Sequence, residues 1–133
     1  MKRYLLDTNI CIFFIRGMYG IDKFILERGE ANCFISDITV AELLYGAQKS
    51  NNPNKSLQIT NEFINSFSVI HIYDSLETYA DNRVLLEKQG QKLDDFDLLI
   101  GSTAVKNNMV MVTDNVKHLS RIPNINIENW IGR

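Results

Sequence analysis

Short apolar runs alternate with longer segments of helical periodicity along the chain. Runs of almost continuous hydrophobic residues are typical of strands that are buried on both faces. Strands are predicted over residues 3–6, 32–35, 68–72, 109–112 and 125–127. Helices are predicted over residues 8–16, 21–27, 38–48, 54–66, 75–89, 95–106 and 116–119. This alternation predicts an α/β three-layer sandwich, with a central parallel sheet of about five strands flanked by helices.

Local signals predict where several of these elements begin and end. Ser36 or Asp37 is suited to cap the helix over 38–48, and Asp74 is expected to cap the helix after the third strand. Gly90 predicts the end of that helix. His71 alternates with two isoleucines and is expected within the third strand, whereas His118 is expected on the surface.

Composition narrows the class of protein. The chain has 133 residues, of which 45% are hydrophobic, and this is enough for one domain over residues 1–133. A net charge of −2 excludes a basic coat that binds nucleic acid by bulk charge. The longest apolar run, 10–15, is far too short to span a bilayer. Cys11 and Cys33 lie in apolar runs, so we expect reduced core thiols in a cytoplasmic protein.

Acidic and amide side chains follow two of the predicted strands. Asp7 comes directly after the first strand, and Asp114 and Asn115 follow the strand over 109–112. The carboxyl ends of parallel strands are where α/β sheets bind ligands. Structural interpretations stay open, because Asp7 can cap the next helix and an Asp-Asn pair suits a turn.

Two further acids lie in helices that are otherwise apolar. Glu42 is the only charged residue between positions 38 and 47, and Asp97 has apolar residues at positions 100 and 104 on its own face. A carboxylate in such surroundings must be desolvated, paired or bound to a metal. The alternatives are a surface glutamate for Glu42 and, for Asp97, membership of a capping run with Asp94 and Asp95.

Carboxylates that converge in one cleft repel one another and need protons or cations to coexist. Oxygen ligands with few histidines favour Mg²⁺, with Mn²⁺ as an alternative, over zinc. Other α/β chemistries lack their motifs, since the chain has no glycine-rich dinucleotide or P-loop signature and no Gly-x-Ser-x-Gly elbow. The sequence therefore predicts an acidic site for a hard cation.

Four sequence blocks carry these acids and extend over residues 3–130 when Trp130 is included. They are Leu6-Asp7-Thr8-Asn9, Ser36 to Leu43 with Gly46, Asp97 to Ala104, and Val112-Thr113-Asp114-Asn115. Their order and spacing resemble the PIN-domain ribonucleases, specifically a VapC-type toxin of a type II toxin–antitoxin pair. Gly101 departs from this pattern, because the family usually has alanine there, and we expect the difference to matter little.

The resemblance implies an acidic site in a single PIN fold. Its three principal carboxylates would be Asp7, Glu42 and Asp97. A fourth residue, an acid or amide, commonly lies two positions after the threonine; that residue is Asn115, whereas the acid, Asp114, comes one position earlier. Both therefore remain candidates. The supporting polar residues would be Thr8, Asn9 and Thr113.

The resemblance also implies a Mg²⁺-dependent endoribonuclease, with tRNA as the leading substrate. Asp7 and Asp97 are expected to hold the metal directly, and Glu42 to orient or deprotonate the attacking water through it. Attack by water leaves a 5′ phosphate and a 3′ hydroxyl and does not need the RNA 2′-hydroxyl.

The partners implied are a VapB-type antitoxin that places a basic residue in the acidic site, and a second toxin copy in a homodimer. The apolar helices over 10–15 and 21–26 would offer a groove for an amphipathic antitoxin segment, or simply fill the core. Two other functions stay open. One is a catalytically silent PIN fold that acts as a binding module, and the other is a metal-dependent DNase or phosphatase.

Overall fold

Five parallel strands form the centre of the protein in a computed structural model, which describes residues 1–132. They are β1 (Tyr4–Leu6), β2 (Cys33–Ser36), β3 (Ser68–Ile70), β4 (Val110–Val112) and β5 (Asn126–Glu128). The strand order is β3-β2-β1-β4-β5, and each neighbouring pair is parallel. The predicted parallel sheet is confirmed.

Helices connect the strands and cover the sheet. They are α1 (Thr8–Ile15), α2 (Ile21–Arg28), α3 (Asp37–Gln48), α4 (Pro53–Asn65), α5 (Leu76–Lys88), α6 (Asp95–Lys106) and α7 (Val116–Leu119). Short 3₁₀ turns precede β2 and α5, over Glu30–Asn32 and Tyr73–Ser75. None of the helices within residues 1–132 has the length and apolar character that a membrane crossing requires.

Two hydrophobic cores lie on the two faces of the sheet. Leu6 and Ile35 pack into a core with side chains of α1 to α4. Leu5 and Met111 point to the opposite face and pack with side chains of α5 to α7. Successive strand residues point to opposite faces, so a continuous apolar run is needed to fill both cores. The predicted three-layer sandwich is confirmed.

The N-cap prediction for α3 is confirmed, whereas the one for α5 is wrong. Ser36 caps α3, since its Oγ accepts a hydrogen bond from the backbone N of Thr39 at 3.2 Å. The prediction that Asp74 caps α5 is wrong. Asp74 lies within the 3₁₀ turn, and the N-cap residue is Ser75, whose side chain makes no capping hydrogen bond. Gly90 does follow the end of α5, at a φ of 67°.

The prediction that His71 lies in the third strand is also wrong, because β3 ends at Ile70. The Asp37 carboxylate accepts a hydrogen bond from the backbone N of Ile72 at 3.2 Å, and its other oxygen lies 3.3 Å from His71 Nδ1. These contacts draw the chain to the start of α3 and leave the His71 side chain exposed. His118 is exposed, as predicted.

Both cysteines are free and buried in the core on the α1 side of the sheet, as predicted. Burial raises the pKa of each thiol, that of Cys33 to about 11. Since the thiolate is the reactive form, Cys11 and Cys33 are packing residues.

Candidate active site

A cleft of about 1130 Å³ opens at the carboxyl ends of the central strands. β1 lies between β2 and β4, so the chain leaves the sheet in two directions around it. Such a switch point leaves a crevice between the connections that follow adjacent strands. The cleft is lined by all of the predicted catalytic residues: Asp7, Glu42, Asp97, Asp114 and Asn115.

Asp7 connects β1 to α1 and is the most buried acid of the cleft, with 5% of its surface exposed. Its Oδ1 accepts a hydrogen bond from the backbone N of Thr8 at 2.9 Å and so caps α1. Its Oδ2 accepts one from Thr113 Oγ1 at 2.8 Å. Burial raises the pKa of Asp7, the charge of Glu42 adds to this, and the two hydrogen bonds oppose it. Asp7 is therefore both a helix cap and a site carboxylate.

Glu42 is half-buried, and its position depends on two threonines. Thr8 Oγ1 donates a hydrogen bond to Glu42 Oε1 at 2.6 Å. Thr8 Oγ1 also lies 3.0 Å from Thr39 Oγ1. A hydroxyl has one proton, so Thr39 must be the donor in this second bond. Thr39 was not among the predicted supporting residues, although it lies three residues before Glu42 and thus on the same face of α3.

Asp97 projects from the first turn of α6 and is half-buried. Its pKa is raised to about 6, first by burial and then by the negative charges of Asp7, Asp94 and Glu42. Asp94 caps α6, since its Oδ2 accepts hydrogen bonds from the backbone N atoms of Phe96 and Asp97. The carboxylate of Asp97 is therefore not needed as the cap, and it faces the cleft with the other acids.

The contacts at the fourth position favour Asn115 over Asp114. Asn115 Nδ2 donates to Asp97 Oδ2 at 3.4 Å, and Asn115 Oδ1 lies 2.7 Å from His118 Nδ1. Asp114 also lines the cleft, but its Oδ1 accepts a hydrogen bond from Asn129 Nδ2 at 3.2 Å. Asn115 is thus tied to the acids and Asp114 to the segment after β5.

The supporting residues differ in how closely they join the acids. Thr113 is fully buried and accepts a hydrogen bond from the backbone N of Asn115 at 2.9 Å while it donates to Asp7. Thr8 connects the first acid to Glu42. Asn9 lines the cleft but is exposed, so its supporting role stays a prediction.

The donor atoms suit a hard cation, because they are carboxylate and amide oxygens without a cysteine or histidine among them. Within residues 1–132, however, no group of three or more acidic, histidine or cysteine side chains is close enough to hold a metal ion. An ion held by one or two carboxylates of this cleft would keep several waters, as Mg²⁺ commonly does.

Charged and aromatic side chains other than the predicted site residues also line the cleft. They are Arg16, Tyr45, Lys49 and Phe96. Ile12 and Ile15 of α1 line the cleft as well, which leaves part of the predicted apolar groove open. The other apolar residues of the first two helices mostly fill the core; Ile10, Ile21 and Ile25 are buried.

The fold and the site define the class of protein. A parallel five-stranded α/β sandwich has its carboxylates at the switch point of the sheet, and the PIN domain model matches residues 4–124. The chain belongs to the PIN-domain family.

Within that family, several similar proteins are named VapC. The tRNA(fMet)-specific endonuclease VapC of Salmonella typhimurium is 35% identical over 135 residues, which cover 98% of this chain and 99% of that protein. A chain of the DNA-bound VapBC crystal structure from Salmonella typhimurium has a TM-score of 0.89 and 33% identity, with 98% and 99% coverage. A chain of Rickettsia felis VapBC2, bound to a promoter DNA fragment, has a TM-score of 0.88 and 33% identity, with 96% and 98% coverage. The resemblance to VapC-type proteins is confirmed.

Proposed function

We propose that this protein is the toxin of a type II toxin–antitoxin pair and acts as a Mg²⁺-dependent endoribonuclease. The observation that carries the proposal is the convergence of Asp7, Glu42 and Asp97 in one cleft. Burial and the neighbouring acids there raise the pKa of Asp97 to about 6. A site that concentrates negative charge in this way favours a bound cation. The VapC relatives named as tRNA(fMet)-specific endonucleases support RNA as the substrate, with tRNA as the first candidate.

In this mechanism Asp7 and Asp97 would hold the metal, and Mn²⁺ is an alternative to Mg²⁺. When bound, the ion would lower the pKa of a water and stabilise charge on the phosphate oxygens. Glu42 Oε1 is held by the Thr8 hydroxyl, which leaves Oε2 to accept the proton of the attacking water. Asn115 keeps the Asp97 carboxylate oriented. Attack by water yields a 5′ phosphate and a 3′ hydroxyl.

The proposal includes a VapB-type antitoxin, a toxin homodimer and a cytoplasmic location for a single domain over residues 1–133. The solved structures of VapBC complexes support the antitoxin partner. Ile12 and Ile15 line the cleft and suit the apolar face of an antitoxin segment. The acids of the same cleft suit a basic residue of that segment. The free thiols Cys11 and Cys33 suit a reducing compartment.

Cleavage of total RNA by the purified protein tests the activity. We expect a few discrete cuts that depend on Mg²⁺ and disappear with EDTA, and end mapping should find 5′ phosphates. Asp97→Asn should lower the rate by at least about 100-fold, because it removes a metal ligand. Asp81→Asn is the matched control, since Asp81 is exposed on α5 and does not line the cleft, and it should cleave like the wild type.

Three outcomes would contradict the proposal. Cleavage by Asp97→Asn at the wild-type rate would refute the site assignment. Equal cleavage of a 2′-deoxy substrate, or release of terminal phosphate alone, would indicate a DNase or a phosphatase. A wild-type protein that cuts nothing, once mass spectrometry excludes carried-over antitoxin, would indicate a silent binding module.

A further inference from the structure

The cleft contains an aromatic and cationic pair that the hydrolytic chemistry does not use. Tyr45 lies on α3, and 66% of its surface is exposed. Lys49 Nζ lies 4.9 Å from the centroid of the Tyr45 ring. Both side chains line the same cleft as the acids. A large exposed aromatic ring with an ammonium beside it suits a ligand that has both a flat face and a negative charge.

Two cations that line the cleft, Arg16 and Lys49, form no salt bridge within residues 1–132. The salt bridges among residues 1–132 involve Arg28, His71 and Arg83, but neither Arg16 nor Lys49. Both of these cations line the cleft at the ends of their helices, as the C-cap residues of α1 and α3. They are therefore available to phosphate groups.

The spacing on α3 places the pair beside the acids. Glu42, Tyr45 and Lys49 follow one another at intervals of three and four residues, so they lie on one face of the helix. From Glu42 to Lys49 the helix axis rises about 10 Å. On α6, Phe96 comes directly before Asp97, lines the cleft and is 48% exposed. Each of the two helices that contribute an acid thus also contributes an exposed aromatic ring.

We propose that Tyr45 and Lys49 bind the nucleotide next to the scissile phosphate of a single-stranded RNA. The Tyr45 ring stacks on the base, and the Lys49 ammonium binds the adjoining phosphate; Phe96 offers a second stacking surface. The proposal rests on the proposed ribonuclease function. A chain with a net charge of −2 has little bulk attraction for RNA, so local stacking and ion pairs must position the strand. Only unpaired nucleotides expose a base face to an aromatic ring.

Binding to the inactive Asp97→Asn protein tests the stacking role without cleavage. The probe is a short 5′-fluorescein-labelled single-stranded RNA, and the readout is fluorescence anisotropy with Mg²⁺ present. Adding Tyr45→Ala should weaken binding about 10–100-fold. Tyr45→Phe keeps the ring and should change binding by less than about threefold. Tyr73→Ala is the matched control, because Tyr73 is 78% exposed and lies outside the cleft.

Salt dependence tests the phosphate contact. Lys49→Gln should make the dependence of log K on log[salt] shallower by about 0.7, the value for one phosphate of a single strand. In the active protein, Tyr45→Ala should raise KM with a smaller effect on kcat. Thermal melting should show that each variant is as stable as its parent, since both side chains are exposed.

Unchanged RNA affinity in Tyr45→Ala would refute the inference while leaving the ribonuclease intact, provided that the wild type still cleaves RNA. An equal loss of affinity for a perfect duplex of the same sequence would refute base stacking. If Tyr45→Ala binds an antitoxin segment more weakly but keeps its affinity for RNA, Tyr45 and Lys49 belong to the surface that binds the protein partner, and the proposal is overturned. If the wild type neither binds nor cleaves RNA, the proposed function fails together with it.

Discussion

At the scale of single residues, the site depends on side chains that each serve two purposes. Asp7 caps α1 through Oδ1 and accepts the Thr113 hydroxyl through Oδ2. Thr8 provides the capping N–H and also the hydroxyl that holds Glu42. The same side chains thus cap the helix and hold the acids in place. A substitution that keeps the hydrogen bonds but removes the charge therefore separates the role of an acid in the site from its role in folding.

Asp97→Asn should stabilise the metal-free protein at neutral pH. The pKa of Asp97 is raised to about 6 in the folded state from an ordinary 3.8. The folded state then binds the Asp97 proton more tightly, so the contribution of this group to stability is greatest below pH 3.8 and is lost as the pH rises through about 6. Asparagine is uncharged at every pH, so it removes the destabilisation that the ionised Asp97 carboxylate causes at neutral pH. We expect a gain of about 1 kcal/mol at neutral pH, allowing for solvent screening of a half-buried group.

Urea unfolding in EDTA at two pH values measures this difference. The gain should be present at pH near 7.5 and absent near 4, where the carboxyl is protonated in the folded protein. Asp81→Asn, on the exposed face of α5, should show no such pH-dependent gain. A loss of stability in Asp97→Asn at neutral pH would show that the ionised Asp97 carboxylate does not destabilise the metal-free protein.

At the scale of elements, α3 and α6 each present one face to the cleft. Along α3, residues spaced three or four apart reach the cleft or its supporting contacts: Thr39, Glu42, Tyr45 and Lys49. On α6 the first turn carries Asp97, while Gly101 in the second turn packs against the segment after α7. A Cβ on Gly101 would lie 2.3 Å from Ile122 Cδ1, so the glycine makes room for a buried isoleucine.

The pair Gly101 and Ile122 should therefore be energetically coupled. Gly101→Ala alone gains about 0.5–1 kcal/mol in helix propensity but costs about 1–3 kcal/mol through the clash. Ile122→Val removes the clashing Cδ1 and alone costs about 0.5–1.5 kcal/mol. In the double variant the alanine fits, so a double-mutant cycle should give a favourable coupling of at least about 1 kcal/mol.

Denaturant unfolding of the four proteins in the cycle measures this coupling. Additive effects would show that the isoleucine moves aside without cost, which would bear out the expectation that glycine in place of alanine matters little. RNA cleavage by Gly101→Ala serves as a separate readout, because the glycine lies on the core side of α6 and not in the cleft.

At the scale of the whole molecule, the strand order gathers residues that are far apart in the chain. β1 lies at the centre of the sheet, with β2 and β4 at its sides. The connections after these three strands carry Asp7, the start of α3 with Glu42, and Asn115. Asp97 enters from α6, which precedes β4. The net negative charge of the cleft is thus a property of topology.

Magnesium should stabilise the folded protein through this cluster. At about tenfold over its Kd, a ligand that binds only the folded state raises Tm by about 3–6 °C in a domain of this size. Differential scanning fluorimetry with and without Mg²⁺ measures the shift. The shift should vanish in Asp97→Asn and persist in Asp81→Asn. It should also shrink near pH 5, where the Asp97 carboxyl, with a pKa of about 6, is protonated. An equal shift in Asp97→Asn would place the ion elsewhere.

Much of the fold was predictable because its signals are local. Continuous apolar runs predict the five strands of the parallel sheet, because each strand is buried on both faces. Helical periodicity predicts the seven helices, because each helix is buried on one face. The two wrong predictions have different causes: a local 3₁₀ turn moves the α5 cap from Asp74 to Ser75, whereas a distant contact ends the third strand before His71. His71 continues an alternating strand pattern, yet Asp37, at the start of α3, pairs with it and ends the strand.

The sequence by itself determined the class of fold and singled out three acids that line one cleft, Asp7, Glu42 and Asp97, because residue type and spacing carry these properties. Only the tertiary structure decided how the acids are held. The hydrogen bond from Thr113 to Asp7 spans 106 residues, and the one from Thr8 to Glu42 spans 34. The hydrogen bond from Asn115 to Asp97 and the place of Tyr45 in the cleft are of the same kind. Such contacts depend on which strands are neighbours, and no local pattern along the chain encodes that.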